Sequence, residues 1–228
     1  MSIEQALARV RERIAKAEIA CGRAPGSVDL LAVSKTRPVA DLRAALAAGQ
    51  HRFGESYVQE ALDKIAALAG HDIEWHFIGP LQSNKSRAVA EHFHWCHSID
   101  RLKLARRLSD QRPDTLPPLQ ICLQVNISGE ASKSGFAPEA VAAAAGEIAS
   151  LPHLQLRGLM AIPARESDVA RQRAAFARLR ALRDAIDKEH GLALDTLSMG
   201  MTGDLEAAIA EGATLVRVGT GIFGERDR

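Results

Sequence analysis

Eight short apolar runs, each followed by a stretch of helical spacing, constrain this chain more than any other feature. The runs fall at 28–33 (VDLLAV), 51–53 (HRF), 73–78 (IEWHFI), 94–99 (HWCHSI), 119–127 (LQICLQVNI), 154–161 (LQLRGLMA), 194–198 (LDTLS) and 214–218 (TLVRV). Helical patterns lie between them. One opens at Pro38, a good first helical residue. One opens at Ser56, where Gln59 would complete a capping box. Others follow Ser83, Asp100 and Pro138, and a long one carries Phe176, Leu179, Leu182 and Ile186. The last follows Thr202, with Ile209 on its apolar side. Such alternation implies a parallel sheet covered by helices.

Eight strands of this kind predict a closed (β/α)8 barrel, a single α/β domain over 1–228. An open doubly wound sheet competes, but no G-x-G-x-x-G follows the first run. Ahead of the first strand, Ile3, Leu7, Val10 and Ile14 recur at helical spacing, and Ser2 with Gln5 reads as a capping box. An extra N-terminal helix over 1–21 is expected to pack near the end of the chain, where only ten residues follow the eighth strand and the last helix is missing.

Composition narrows the function classes. A net charge of +1 leaves no electrostatic footprint for nucleic acid or an anionic membrane. No run of 18 apolar residues exists, and the first twenty residues carry charges throughout, so neither a membrane span nor a secretory signal is expected. Cys21, Cys96 and Cys122 are odd in number and form no C-x-x-C, which fits a reducing cytoplasm.

In a barrel of this type, chemistry sits at the C-terminal ends of the strands. "LLAVSKTR" (30–37) places Lys35 where strand one ends. Of the seven lysines, Lys16, Lys64, Lys103 and Lys188 lie on charged helical stretches and read as solvated, Lys85 sits near a helix start and Lys133 in a loop. A strand-end lysine whose charge reaches water is the bland alternative for Lys35. A desolvated one can form a Schiff base with an aldehyde. "LSMGMTGD" (197–204) sets Ser198, Gly200 and Thr202 after strand seven, and "VGTGIFG" (218–224) sets Gly219, Thr220 and Gly221 after strand eight. Small and hydroxyl residues after strands seven and eight suit a phosphate, although ordinary turns use the same residues. An amine facing a phosphate cup suits a phosphorylated aldehyde, either pyridoxal 5′-phosphate or a sugar phosphate.

Several other residues compete for attention. "EHFHWCH" (91–97) alternates along a strand without metal-ligand spacing, so packed strand residues explain it better than a metal site. His76, Phe53, Glu55 and Asn126 lie close enough to strand ends to reach the pocket, but core or rim hydrogen bonding accounts for them equally well. "SGEASKSGF" (128–136) is either a cover for the pocket or a plain βα loop.

The chain resembles the pyridoxal phosphate homeostasis proteins, relatives of the barrel domain of alanine racemase. "LLAVSKTRP" (30–38), "RFGESYVQEALDK" (52–64), "EWHFIGPLQSNK" (74–85), "SID" (98–100), "QVNISGEASKSGF" (124–136), "LRGLMAIP" (156–163), "LSMGMTGDLEAAIAEG" (197–212) and "VRVGTGIFGER" (216–226) carry the resemblance in order along nearly the whole chain. It implies that Lys35 holds pyridoxal 5′-phosphate as an internal aldimine, that Ser198, Met199, Gly219 and Thr220 bind the phosphate, and that Arg217 faces the pyridine nitrogen. One departure is Ser56, where the family usually has asparagine.

The resemblance also implies a non-catalytic protein that buffers pyridoxal 5′-phosphate; a monomer is expected in the absence of the racemase's second domain, and transfer of the cofactor to apo-enzymes by transient contact is left open. Racemases of this type add a second domain and a partner's tyrosine; here the one tyrosine is Tyr57, at a helix start. Two-base racemisation needs acid/base groups on both faces of the substrate, and no second group beside Lys35 is evident. A pyridoxal-phosphate racemase and a class I aldolase are the rival readings.

Overall fold

The computed structural model describes residues 1–130 and 134–225. The first helix, α1 (Ile3–Ala20), forms as its sequence predicts: Ser2 Oγ accepts from the Gln5 N–H at 3.2 Å, and Gln5 Oε1 accepts from the Ser2 N–H at 3.1 Å. Its inner face is Ala6, Leu7, Val10, Ile14 and Ala17.

Eight parallel strands come after it, β1 (Asp29–Val33), β2 (Arg52–Glu55), β3 (Glu74–Phe77), β4 (Trp95–Ile99), β5 (Leu119–Gln124), β6 (Leu154–Met160), β7 (Thr196–Ser198) and β8 (Leu215–Val218). They close in sequence order, with β1 paired to β8 through Asp29–Leu215 to Ala32–Val218, so the open-sheet alternative falls. The helices between them are α2 (Val39–Ala47), α3 (Val58–Ala67), α4 (Ser86–His92), α5 (Leu102–Gln111), α6 (Pro138–Ala149), α7 (Val169–His190) and α8 (Leu205–Ala210). The eighth unit ends in a single turn, α9 (Thr220–Phe223). Against α8, α9 and α2 lies α1, so the N-terminal helix covers the seam that the short last helix leaves open. Arg13 of α1 pins it there, donating to both carboxylate oxygens of Glu206 and to Thr202 O.

Two helix starts depart from the sequence reading. Pro38 is the residue before α2 rather than its first member. The expected Ser56 capping box does not form, because α3 begins after Tyr57 with no side-chain cap. Ser56 continues the face of β2 that carries Arg52 and Gly54 and turns inward to the pocket.

Strand residues alternate between two environments. Side chains facing the helices, with the inner faces of the helices, build one large apolar core that includes Phe53, Phe77, Phe93 and Phe176, all fully buried. The inside of the barrel holds a separate small cluster, Trp95, Cys122 and Met160. Leu31, in register with Arg217 of β8, also points into the barrel, and polar side chains share that interior. His97 on β4 reaches Ser198 on β7 at 2.8 Å, and because β4 and β7 are not neighbours the contact crosses the lumen. Cys21, Cys96 and Cys122 are all free. No described helix is long and apolar enough to cross a membrane.

Candidate functional site

A chamber of about 250 Å³ opens at the C-terminal ends of the strands. Its wall includes Lys35, Arg217, Gly219 and Thr220 from the sequence-predicted set, together with Ser56, Thr202 and Gly203. A larger groove of about 620 Å³ runs beneath α1 at the opposite end, but its polar groups are committed to the fold. Arg11 there caps the end of α2 through Ala48 O and Gly49 O, and Glu18 accepts from the Gly26 and Val28 N–H groups. Chemistry rather than size marks the smaller chamber.

Lys35 lies two residues beyond the end of β1, in a turn, rather than on the last strand residue. Leu31 and Val33 precede it on the same face, and Leu31 is in register with Arg217, so the strand aims this parity into the barrel. Thr36 comes next with φ 64°, a left-handed conformation that a β-branched residue adopts only when its surroundings enforce it. Those surroundings are a buried charge cluster. Glu60 accepts from the Thr36 N–H at 2.5 Å. Lys64 donates to Ser34 O at 2.7 Å, to Glu55 at 2.8 Å and to Glu60 at 2.6 Å, while Ser34 Oγ donates to Glu55 at 2.5 Å. The turn carrying Lys35 is therefore clamped on both sides by α3 and β2.

Lys64 was expected to be a solvated helix lysine; it is 4% exposed. Its one visible sequence signal was the Glu60–Lys64 spacing of four, and that pattern looks the same on an exposed face. Glu55 and Phe53 do not line the chamber, since they point outward from β2 into the space beneath the helices. Burial pushes the Glu55 carboxyl up, with Lys64 pulling it the other way.

Arg217 sits on the chamber floor. It donates to Ser198 Oγ at 2.7 Å and to Ala161 O at 2.9 Å. Burial lowers its pKa to about 10, with Asp204 opposing, so it stays a cation at neutral pH. Ser198 and Met199 are both fully buried and do not line the chamber. Ser198 is spent on Arg217 and His97, and the Met199 N–H donates to Leu215 O.

The rim is made instead by Thr202 and Gly203 after β7 and by Gly219 and Thr220 after β8. Thr202 Oγ1 accepts from the Gly221 N–H at 3.3 Å, tying the two loops together. A Cβ on Gly221 would meet Val218 at 2.9 Å and Thr202 at 3.1 Å, so only glycine permits that approach.

The remaining candidates disperse. His94 Nδ1 accepts from the Trp75 N–H, Cys96 packs in the outer core and His97 enters the lumen, so among the described residues the "EHFHWCH" side chains form no metal-binding cluster. Asn126 donates to Glu130 O at 2.8 Å. Residues 131–133 of the "SGEASKSGF" loop, Lys133 among them, lie outside the described residues, as does Arg226.

With this geometry in place, comparison with known proteins is decisive. The family model for the N-terminal domain of alanine racemase matches residues 6–227. A pyridoxal phosphate homeostasis protein of Pseudomonas aeruginosa is 61% identical over 226 residues, covering 99% of this chain and 96% of that protein. The chain belongs to the pyridoxal phosphate homeostasis protein family. Among solved structures of similar fold, PipY of Synechococcus elongatus with PLP bound has a TM-score of 0.86 and 39% identity, covering 98% of this chain and all of PipY. The alanine racemase of Corynebacterium glutamicum has a TM-score of 0.72 at 17% identity, covering 98% of this chain and 62% of the racemase. That last likeness concerns the fold alone. Membership of the homeostasis family agrees with the barrel.

Proposed function

We propose that this protein binds pyridoxal 5′-phosphate (PLP) in the Lys35 chamber and serves PLP homeostasis, holding the cofactor as a Schiff base without efficient turnover. One observation carries the reading: a primary amine and a buried guanidinium face the same small chamber, whose rim is two hydroxyl- and glycine-bearing loops. The donor set fits the group. Lys35 offers the nucleophile that condenses with an aldehyde, forming a C=N bond with loss of one water. Thr202, Gly203, Gly219 and Thr220 offer small, close-approaching partners for a phosphate. Arg217 offers a fixed positive charge to a ring nitrogen. When bound, PLP supplies an electrophilic aldehyde carbon and an electron-withdrawing ring.

The residues of this chain restrict the chemistry open to a bound ligand. A cation at the ring nitrogen disfavours a second positive charge there and weakens the ring as an electron sink. Among the described residues, the chamber wall carries one amine and no phenol, imidazole or carboxylate. Tyr57 is 54% exposed at the start of α3. A two-base racemase needs a second group on the far face of its substrate. Holding and releasing PLP in the cytoplasm, for use by PLP-requiring apo-enzymes, is the role this reading gives to a chain that acts as a monomer.

Borohydride reduction followed by peptide mass mapping tests it. The expected result is a pyridoxyl adduct on the Lys35 peptide, and no covalent adduct in Lys35→Ala. An adduct on another lysine, or a Lys35→Ala protein that stays yellow, overturns the assignment. Rapid loss of α-deuterium from an added amino acid would favour the racemase instead.

A further inference from the structure

A continuous hydrogen-bonded column threads the barrel lumen. Arg217 Nη1 donates to Ser198 Oγ at 2.7 Å, Ser198 Oγ lies 2.8 Å from His97 Nδ1, His97 Nε2 lies 2.9 Å from His76 Nδ1, and His76 Nε2 lies 2.8 Å from Glu74 Oε1. Its upper end is the chamber floor. Its lower end lies at the opposite mouth, where Glu74 and His76 line a second, polar opening with Asp29, Arg157 and Asp195. His76, His97 and Ser198 are all buried to within 1%.

With both imidazoles neutral, the two ends determine every proton between them. A guanidinium can only donate and a carboxylate can only accept. Ser198 Oγ therefore accepts from Arg217 and sends its own proton to His97 Nδ1. His97 then carries its proton on Nε2 and donates to His76 Nδ1, and His76 donates from Nε2 to Glu74. Both imidazoles then share one tautomer, and an added proton would have to reverse the bonds linking His76, His97 and Ser198. Burial supports the neutral forms, since it holds both histidines below the usual imidazole range, His97 well below. The other titratable groups around the column are Asp29 on β1, Arg52 on β2, His94 before β4, Cys122 on β5, Arg157 on β6, Asp195 before β7 and Asp204 before α8.

We propose that Glu74, His76, His97 and Ser198 form a positioning column for Arg217, held in one protonation pattern by its two ends, and that the column couples the far mouth of the barrel to a ligand in the Lys35 chamber. The coupling part rests on the PLP reading above; the protonation pattern does not. By fixing Ser198 as an acceptor, the column sets the guanidinium plane from below and leaves the remaining N–H groups of Arg217 to face the chamber. None of the four residues needs to touch the ligand.

Nitrogen-15 NMR of the ligand-free protein tests the pattern. Both His76 and His97 are expected to show a protonated Nε2 and a bare Nδ1, unchanged between about pH 5 and pH 8. Ser198→Ala, which removes the proton sent to His97, is expected to shift the ring signals of His76, a residue that Ser198 does not touch. PLP titrations test the coupling. Glu74→Ala is expected to weaken binding about fivefold, the low end of ordinary coupling between sites. Glu74→Gln, which keeps an acceptor for His76, is expected to bind nearly as the parent does. Glu74→Ala combined with Ser198→Ala is expected to lose no more than Ser198→Ala alone.

Ordinary titration of either histidine near pH 6.5, an unmoved His76 in Ser198→Ala, or additive losses in the double variant would each overturn the column. A parent protein that takes up no PLP would instead sink the proposed function, with the NMR result still deciding the protonation pattern.

Discussion

The shell between strands and helices and the lumen inside the strands are built on opposite principles. The shell is one continuous apolar core that takes in most of the buried side chains of the chain. The lumen sets Leu31 and the Trp95, Cys122 and Met160 cluster beside a column of histidines, serine and arginine. Many barrels of this architecture fill the lumen with layers of branched aliphatics. Here the shell supplies stability and the lumen supplies an oriented set of dipoles beneath the chamber. A buried polar network is tolerated only when its members are satisfied, and this one is satisfied along its length.

That contrast can be broken at measurable points. The largest effect is expected in the shell. Phe176→Ala, at a fully buried position on α7, should cost roughly 3–5 kcal/mol in urea unfolding while leaving the absorption of bound PLP unchanged. A shift of that absorption would show that shell and lumen are not separable.

Lys64→Met strikes where a charge has been admitted to the shell. It strands Glu55 and Glu60 beside the Ser34–Thr36 turn, and a loss of about 3 kcal/mol is expected, with weaker PLP uptake because the Lys35 turn loses its clamp. Unfolding and PLP titration on the same sample separate the two losses.

The lumen should report itself in acid. His76 and His97 have folded pKa values depressed below 6.5, so below that pH the unfolded chain binds more protons than the folded one. Their contribution is present above pH 6.5 and is lost as pH falls toward the folded values, by up to about 1.4 kcal/mol per pH unit for each imidazole. Glu74, lowered from 4.5 to about 2 chiefly by its hydrogen bond from His76, adds a second loss between those two values. Urea unfolding at stepped pH should show both windows in the parent. In His97→Gln the window below pH 6.5 should shrink.

The smallest effect belongs to the surface. Arg87→Ala removes an exposed pair with Glu91 and should change stability by less than about 0.5 kcal/mol. A larger change by the same unfolding measurement would mean that the outer layer contributes more than this division allows.

The sequence made the shell legible because it is periodic. Eight apolar runs and their helical spacers predicted the eight strands and their order, and Ser2 with Gln5 predicted the first helix start. The lumen was harder to read. His76 was read as a pocket residue or a hydrogen-bonded core histidine and is the second, whereas His97 looked like an ordinary strand residue, because a contact between β4 and β7 has no local signature. Lys64 looked solvated for the same reason: the carboxylate that buries it, Glu55, comes from a different element. At the chamber, residue chemistry and family likeness both named Ser198, Gly219 and Thr220, and each added residues of its own. Thr202 and Gly221 were named from loop composition, and Thr202 lines the chamber while bonding to Gly221. Ser198, named by both, and Met199, named by the likeness alone, are fully buried and do not line the chamber.

The seam beneath α1 has a consequence for how this chain is made. The first helix rests on α8 and α9, and β1 finds its second neighbour only in β8. Neither α1 nor β1 can complete its final surroundings until the last strand has been synthesised. Non-local closure of this kind is slow and leaves sheet edges unpaired in the meantime. The growing chain must carry β1 with one side bare for almost its whole passage from the ribosome, and the moment of closure is also the moment when Lys35 and Arg217 first meet.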